Sequence, residues 1–91
     1  MNAEPTFLER IAAGVPLAVD GCLGKYRGLV WSMARRFAGN HADAEDAVQE
    51  IFVELWRHAG RFDATVAAES TFVATVARRR LIDRHRRRAR Q

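Results

Sequence analysis

The residue types most able to do chemistry lie near the end of the chain, where the segment RRRLIDRHRRRAR, residues 78–90, carries eight arginines. Fourteen of the fifteen cationic residues in the chain are arginine, and a guanidinium fork suits paired contacts to phosphate oxygens or base edges. Clustered cations also bind nucleic acid because they release counterions from its phosphates. The segment therefore predicts nucleic-acid binding; a solvated tail that attaches to any polyanion is the alternative.

A second candidate surface is acidic and lies in the segment DAEDAVQEIFVELW, residues 43–56. Asp46, Gln49, Glu50 and Glu54 fall on one face of a helix, because they are spaced by three or four residues. Such a row can pair with arginines of another protein, and a merely solvated face is the alternative. The charge divides accordingly: residues 1–59 carry six Lys/Arg against eight Asp/Glu, whereas residues 60–91 carry nine against three.

Catalysis is the function class that the sequence favours least. The histidines His41, His58 and His85 are isolated from one another and form no HExxH or Cys/His spacing, so we expect no metal site. The sequence contains no glycine-rich phosphate loop and no GxSxG turn, and we expect no cofactor, no small-molecule substrate and no enzymatic activity. Cys22 is the single cysteine and is predicted to be a small buried hydrophobe.

Hydropathy indicates a protein of the cytoplasm. No stretch of the sequence approaches the roughly 18 apolar residues that a membrane span needs, and no signal peptide opens the chain. We therefore expect a cytoplasmic protein with no membrane partner.

Helices must position both charged surfaces, since 48% of the residues are hydrophobic and both prolines precede residue 17. Apolar periodicity predicts a short helix that ends at Gly14 and a long one from Pro16 to Gly39. The apolar stripe of the long helix is Val19, Cys22, Leu23, Tyr26, Leu29, Val30, Met33, Ala34 and Phe37. Trp31 lies off this stripe and is expected to pack under the first helix.

Two further helices follow in the second half of the chain. Asp43 is the predicted N-cap of the third helix, whose apolar face is Ala44, Ala47, Val48, Ile51, Phe52, Leu55 and Trp56. Residues 60–69 are predicted to form an ordered loop. The last helix is predicted to begin after Ser70 or Thr71 and to continue to about Arg87.

The predicted fold class is all-α, a compact bundle of three main helices plus a short N-terminal helix. The length of 91 residues suits one domain. We expect residues 1–91 to form that single domain, with residues 88–91 beginning an interdomain linker.

Four segments of the sequence resemble a known family. The segment DAEDAVQEIFVELW is similar to the pattern D-A-E-D-x-x-Q-E-x-F-x-x-x-W of region 2 in bacterial sigma factors of the extracytoplasmic-function (ECF) group. The segment FVATVARRRLIDRHRRR, residues 72–88, resembles the family's W-L-x-x-I-A-R-N-x-x-I-D-x-x-R-R. GRFD, residues 60–63, resembles the start of the family's loop, and YRGLVWSMARRF, residues 26–37, fits the segment before the signature.

The resemblance implies a sigma factor domain for transcription initiation, with two partners. The polar face of the signature helix would bind the beta-prime clamp helices of core RNA polymerase. The positions that correspond to this surface are Asp46, Gln49 and Glu50, with Glu45, Glu54 and Trp56 as further candidates. The resemblance also implies regulation by an anti-sigma protein.

The second implied partner is the non-template strand of the promoter minus-ten element, which the family recognises and melts. A loop pocket would hold a flipped-out base, and arginines would hold the neighbouring phosphates. The corresponding pocket positions are Arg61, Phe62, Asp63 and the residues up to Ser70. The corresponding strand contacts are Arg78, Arg79, Arg80, Arg84, Arg86 and Arg87.

The sequence departs from the family pattern at two positions. Phe72 stands where the family has tryptophan, and it lacks the indole N–H donor. Arg79 stands where asparagine is common, which favours phosphate or guanine over an adenine edge. The family's second domain, a helix-turn-helix that reads the minus-thirty-five element, is expected to be absent.

Two alternatives remain at this stage. A helical DNA-binding regulator of helix-turn-helix type would also be small and basic, but it should show a short turn before its last helix. A nonspecific nucleic-acid-binding module would explain the arginines but not the acidic signature.

Overall fold

The computed structural model describes residues 4–90, and Gln91, the last residue of the expected linker, lies outside them. It contains the helices α1 (Phe7–Ala12), α2 (Ala18–Phe37), α3 (His41–Arg57) and α4 (Glu69–Ala89), and a 3-10 turn at Ala59–Arg61. No strand occurs within residues 4–90. The prediction of three main helices plus a short leading one is therefore confirmed.

The ends of α1 follow local rules. Thr6 caps the helix in a capping box, in which its hydroxyl accepts from the Glu9 N–H while the Glu9 carboxylate accepts from the Thr6 N–H. Gly14 follows the helix with φ of +75°, a conformation that glycine adopts without steric cost. The predicted stop at this glycine is confirmed.

The predicted N-caps of α3 and α4 were wrong. Asn40, and not Asp43, caps α3, because the side-chain Oδ1 of Asn40 accepts from the Asp43 N–H at 2.9 Å and the side-chain Nδ2 of Asn40 donates to the Asp43 carboxylate at 3.1 Å. Asp43 is thus the third helical residue and completes the reciprocal pair. Helix α4 begins at Glu69, before Ser70 and Thr71, and its N-cap Ala68 has no side chain that could cap it.

The core is shared by all four helices and the 3-10 turn. Helix α2 contributes five residues at spacings of four: Ala18, Cys22, Tyr26, Val30 and Ala34. Helix α3 contributes Ala44, Ala47, Ile51, Phe52 and Leu55, and α4 contributes Val73, Val76, Ala77 and Leu81. These two faces, and the burial of Cys22, agree with the sequence prediction.

The core stripe of α2 is narrower than the periodicity predicts. Val19, Leu29 and Phe37 are each 37% exposed, because the helices packed against α2 cover only the middle of its apolar arc. Trp31 was also misplaced by the prediction: its ring packs edge-on against His41 at the start of α3, with ring centroids 5.0 Å apart, and not under α1.

Helix α1 packs against α2, α3 and the 3-10 turn. Its Phe7 ring lies directly over Gly21, where a β-carbon would come within 2.3 Å of the ring. Leu8 is fully buried. Across residues 4–90, none of the helices combines the length and the apolar character that crossing a membrane requires.

Candidate polymerase-binding and nucleic-acid-binding site

The acidic face of α3 forms one wall of an open groove of about 440 Å³. The groove is lined by Asp46, Gln49, Glu50, Val53, Glu54, Arg57, His58 and Arg80. Four of the six residues that the resemblance assigns to polymerase binding therefore lie together. The groove offers three carboxylates and an amide beside one apolar side chain, with Arg57, His58 and Arg80 at its other positions. Its carboxylates are suited to cationic side chains of a protein.

Glu45 and Trp56, the other two candidates, lie outside this groove. Glu45 pairs with His41 at 2.7 Å on the side of α3 that faces Trp31. Trp56 is half-buried against the core, and its ring lies 5.6 Å from that of Phe52. Trp56 therefore serves packing at least as much as it offers a contact surface.

A row of ion pairs joins α3 to α4. Arg80 donates to Glu50 at 3.1 Å and to Glu54 at 3.0 Å. Arg84 donates to the second oxygen of Glu50 and reaches the Asp43 carbonyl oxygen at 3.5 Å. These arginines and carboxylates were predicted to lie on two separate surfaces, whereas the structure brings them together.

The row continues at Arg88, which pairs with the Asp43 carboxylate. Arg88 lies inside α4, which ends at Ala89, and its pair with Asp43 joins the helix end to α3. The interdomain linker expected at about residues 88–91 stays a prediction. We refer to Arg80, Arg84 and Arg88 with Asp43, Glu50 and Glu54 as the α3–α4 ion-pair row.

The remaining candidate arginines of α4 are exposed. Arg78, Arg79, Arg86 and Arg87 all point away from the core. Arg79 and Arg86 are seven residues apart and share the outward face with Arg90, four residues further on. An open groove of about 650 Å³ runs along the end of this face, lined by Arg80, Asp83, Arg86, Arg87, Ala89 and Arg90. Arg90 was not among the predicted contacts, although its spacing from Arg86 was available in the sequence.

The loop between the 3-10 turn and α4 is ordered by its own side chains. The Asp63 carboxylate accepts from the Thr65 N–H at 2.9 Å and from the Thr65 hydroxyl at 2.6 Å. These two hydrogen bonds lower the pKa of Asp63. Arg61 and Ser70 are exposed on either side, and Val66 at the tip is 79% exposed.

Phe62 differs from the other loop candidates because it belongs to the core. It is 8% exposed, and its ring packs edge-on against Phe72 with centroids 5.3 Å apart. This ring pair joins the start of the loop to the beginning of α4. The Phe62 ring therefore supports the loop from its core side and presents little surface on which a base could stack.

Sequence reasoning missed one buried polar residue, Glu69. It is 7% exposed, and its carboxylate accepts hydrogen bonds from the Leu8 N–H and the Tyr26 hydroxyl, both at 2.7 Å. Burial and this hydrogen bond raise the pKa of Tyr26, so the phenol stays protonated and donates. No local signal marks this contact, because its partners lie 61 and 43 residues away in sequence.

Comparison with known proteins agrees with the expected family. Residues 22–91 match the Sigma-70 region 2 family. The ECF RNA polymerase sigma factor SigK of Mycobacterium bovis (strain BCG / Pasteur 1173P2) is 29% identical over 79 residues, which are 87% of this chain and 42% of the relative.

A second relative gives the same result. The ECF RNA polymerase sigma factor SigL of Mycobacterium tuberculosis (strain ATCC 35801 / TMC 107 / Erdman) is 36% identical over 62 residues, which are 68% of this chain and 35% of the relative. The chain thus spans about two fifths of the length of these relatives or less. No solved structure matches the chain. With the family match covering most of its length, the chain belongs to the Sigma-70 region 2 family.

Proposed function

We propose that this chain is the part of an ECF sigma factor that binds core RNA polymerase and then recognises and melts the promoter minus-ten element. The observation that carries the proposal is the presence of two surfaces of opposite sign on one Sigma-70 region 2 bundle. One is the acidic groove of α3, and the other is the exposed arginine face of α4. The domain is an adaptor between a protein and a nucleic acid.

Core polymerase binds the groove through cationic side chains of the beta-prime clamp helices. Asp46 and Gln49 are its most available residues, because both are exposed and neither forms a side-chain hydrogen bond or ion pair with the rest of residues 4–90. Glu50 and Glu54 are already held by Arg80. They contribute charge to the groove, and any direct contact has to compete with that arginine.

The opened non-template strand follows the exposed side of α4. Arg78, Arg79, Arg86 and Arg87 hold its phosphates, and the loop at residues 62–68, flanked by the exposed Arg61 and Ser70, receives an unstacked base. Arg80 and Arg84 differ from this set, since the α3–α4 ion-pair row holds them toward α3. We assign them to the support of α4 and not to direct strand contacts.

The connection between α3 and α4 argues against a helix-turn-helix regulator. It runs over residues 58–68 and includes a 3-10 turn and a hydrogen-bonded loop, whereas a helix-turn-helix joins its helices by a turn of about three or four residues. A nonspecific polyanion-binding function would need only the arginines. It would not explain the acidic groove of α3.

The proposal is tested first on the protein partner. Affinity for core polymerase is measured for the wild type and for a double variant, Asp46→Ala with Gln49→Ala. We expect the double variant to bind at least tenfold more weakly, because two exposed polar contacts are lost. Asp20→Ala, which removes an exposed carboxylate in the first turn of α2, serves as the matched control. Equal binding by wild type and double variant contradicts the proposal.

The DNA half is tested in the complex with core polymerase. A single strand with the non-template minus-ten sequence is compared with a scrambled strand at the same salt concentration. We expect preference for the minus-ten strand. Equal affinity leaves only the phosphate contribution and contradicts specific recognition.

A further inference from the structure

Glu69 lies where three parts of the molecule meet. It is the first residue of α4, and its carboxylate binds the first turn of α1 through Leu8 and the middle of α2 through Tyr26. It is the buried charged residue of the described chain. Burial of a carboxylate destabilises the folded state unless hydrogen bonds compensate for its lost hydration. The burial of Glu69 therefore requires a structural or functional explanation.

The compensation comes from hydrogen-bond donors and helix ends rather than from a cation. Within residues 4–90, Glu69 forms no ion pair with Lys, Arg or His. Each of its two oxygens accepts one short hydrogen bond, at 2.7 Å. The carboxylate also lies at the positive end of the long helix α4, whose N-cap Ala68 offers no side-chain oxygen.

Helix α1 contacts the segments at both ends of the loop at residues 62–68. At the loop's start, α1 packs against the 3-10 turn, Ala59–Arg61. At the loop's end, Glu69 ties the first turn of α4 to that same helix α1. The Phe62–Phe72 ring pair also connects the two ends of the loop directly. The position of α4 relative to the start of the loop therefore depends in part on α2, which packs on both α1 and α4, and in part on the hydrogen bond between the Glu69 carboxylate and α1.

We infer that Glu69 is a positioning residue for strand capture, which holds the loop at residues 62–68 and the first turn of α4 in the geometry that receives the unstacked base. The inference rests on the function proposed above. Glu69 itself is buried and contacts no DNA. It acts through the loop, by keeping α1 and α4 at a fixed separation.

The substitution Glu69→Gln tests this role while preserving the size of the side chain. An amide has an oxygen at one of the two carboxylate oxygen positions and an NH₂ group at the other. Because Leu8 and Tyr26 donate to different oxygens of Glu69, the amide cannot accept at both positions. If the Tyr26 hydroxyl turns to accept from the amide, its own hydrogen is left without a partner. Either arrangement leaves one buried donor unsatisfied and loosens the joint between α1 and α4.

The experiment uses the chain bound to core polymerase and measures affinity for the minus-ten strand and for a scrambled strand. We expect Glu69→Gln to reduce the ratio of the two affinities about tenfold, while the scrambled-strand and polymerase affinities stay within about twofold of wild type. Circular dichroism establishes that the variant is folded at the assay temperature. A folded Glu69→Gln protein with the wild-type ratio overturns the inference.

A matched control separates positioning from general stability of α1. Glu9→Gln weakens the capping box at the start of α1, where Glu9 accepts two hydrogen bonds from Thr6 at 2.9 Å, but it leaves Glu69 untouched. We expect this variant to keep the wild-type ratio. An equal loss in Glu9→Gln overturns the role of Glu69. A wild-type protein without strand preference instead rejects the proposed function, which is a separate outcome.

Discussion

Arg84 on α4 pairs with Glu50 on α3, so a residue expected to hold DNA is bound to a residue expected to meet polymerase. Arg84 is only 18% exposed in this arrangement. Arg80 shares the same carboxylate at 3.1 Å. The two proposed binding surfaces therefore meet along the α3–α4 ion-pair row, and we expect a change at Glu50 to affect both.

The first prediction concerns Glu50→Gln. Loss of this charge removes one of the two carboxylate partners of Arg80 and the carboxylate partner of Arg84. The Arg84 guanidinium then becomes available to phosphates, while Arg80 keeps its pair with Glu54. We expect affinity for an unspecific single strand at low salt to rise about two- to threefold, and the decrease of affinity with salt to become steeper. Affinity for core polymerase falls, because the acidic groove loses a charge.

The control for this prediction is Glu45→Gln. It removes the same charge from α3, but Glu45 pairs with His41 and with no arginine. Fluorescence anisotropy of a labelled strand, titrated at several salt concentrations, compares the two variants. If Glu45→Gln strengthens strand binding as much as Glu50→Gln, the effect is one of net charge and the release of Arg84 is refuted.

The internal faces of the helices were predictable from sequence, whereas their contacts with one another were not. The positions of Ile51 and Leu55 follow from a spacing of four on a strongly amphipathic helix. The bonds of Glu69 to Leu8 and Tyr26 depend on how three helices are rotated and shifted relative to one another. That relative placement is set by core packing, which periodicity within one helix does not contain.

The N-cap of α3 shows a second limit of prediction from sequence. Asn40 and Asp43 are both good capping residues, and they stand three positions apart, as the two members of a reciprocal pair do. The sequence therefore allows either one to be the cap. The structure selects Asn40, which lengthens the helix by one turn at its start and brings Asp43 into the α3–α4 ion-pair row.

The second prediction concerns three glycines of α2. Gly24 and Gly28 have open space where a β-carbon would be placed, whereas a β-carbon on Gly21 would clash with the Phe7 ring at 2.3 Å. Alanine has higher helix propensity, so Gly24→Ala and Gly28→Ala should each stabilise the fold by about 0.5–1 kcal/mol. Gly21→Ala should destabilise it by about 1–3 kcal/mol, because α1 must shift.

Urea unfolding followed by circular dichroism measures these three differences. Gly24→Ala is the matched control for Gly21→Ala, since both add one methyl group to the same helix. A Gly21→Ala protein as stable as Gly24→Ala would contradict the tight packing of α1 on α2.

The third prediction concerns stability at high pH. Burial raises the pKa of Tyr26, with the hydrogen bond to Glu69 adding to the effect, and burial also raises the pKa of the Cys22 thiol. A group whose pKa is higher in the folded state keeps its stabilising effect below its unfolded pKa and loses it as pH rises. The free energy of unfolding should therefore decrease above about pH 8.5–10, the range in which unfolded Cys and Tyr titrate.

Denaturant unfolding at a series of pH values measures this slope. Tyr26→Phe removes the phenol, so its stability should fall less steeply above about pH 10, although its stability near neutral pH is lower because Glu69 loses a donor. A slope in Tyr26→Phe equal to that of the wild type would show that Tyr26 does not cause the decrease.

The fourth prediction contrasts two neighbouring arginines of α4. Arg79 is exposed on the outward face, while the two terminal nitrogens of Arg80 donate to Glu54 and Glu50 at 3.0 and 3.1 Å. A phosphate contact by Arg79 contributes equally to all sequences. We therefore expect Arg79→Ala to weaken binding to every single strand and to reduce the salt slope by about 1, whereas Arg80→Ala leaves the slope unchanged.

Strand affinities for both variants, measured on minus-ten and scrambled sequences over a range of salt, separate the possible outcomes. An unchanged slope in Arg79→Ala, with a loss confined to one base position, shows that Arg79 reads a base edge and not a phosphate. A reduced slope in Arg80→Ala shows that the strand takes Arg80 away from Glu50 and Glu54. In that case the α3–α4 ion-pair row opens when DNA binds, and Glu50 then becomes available to polymerase at the same step.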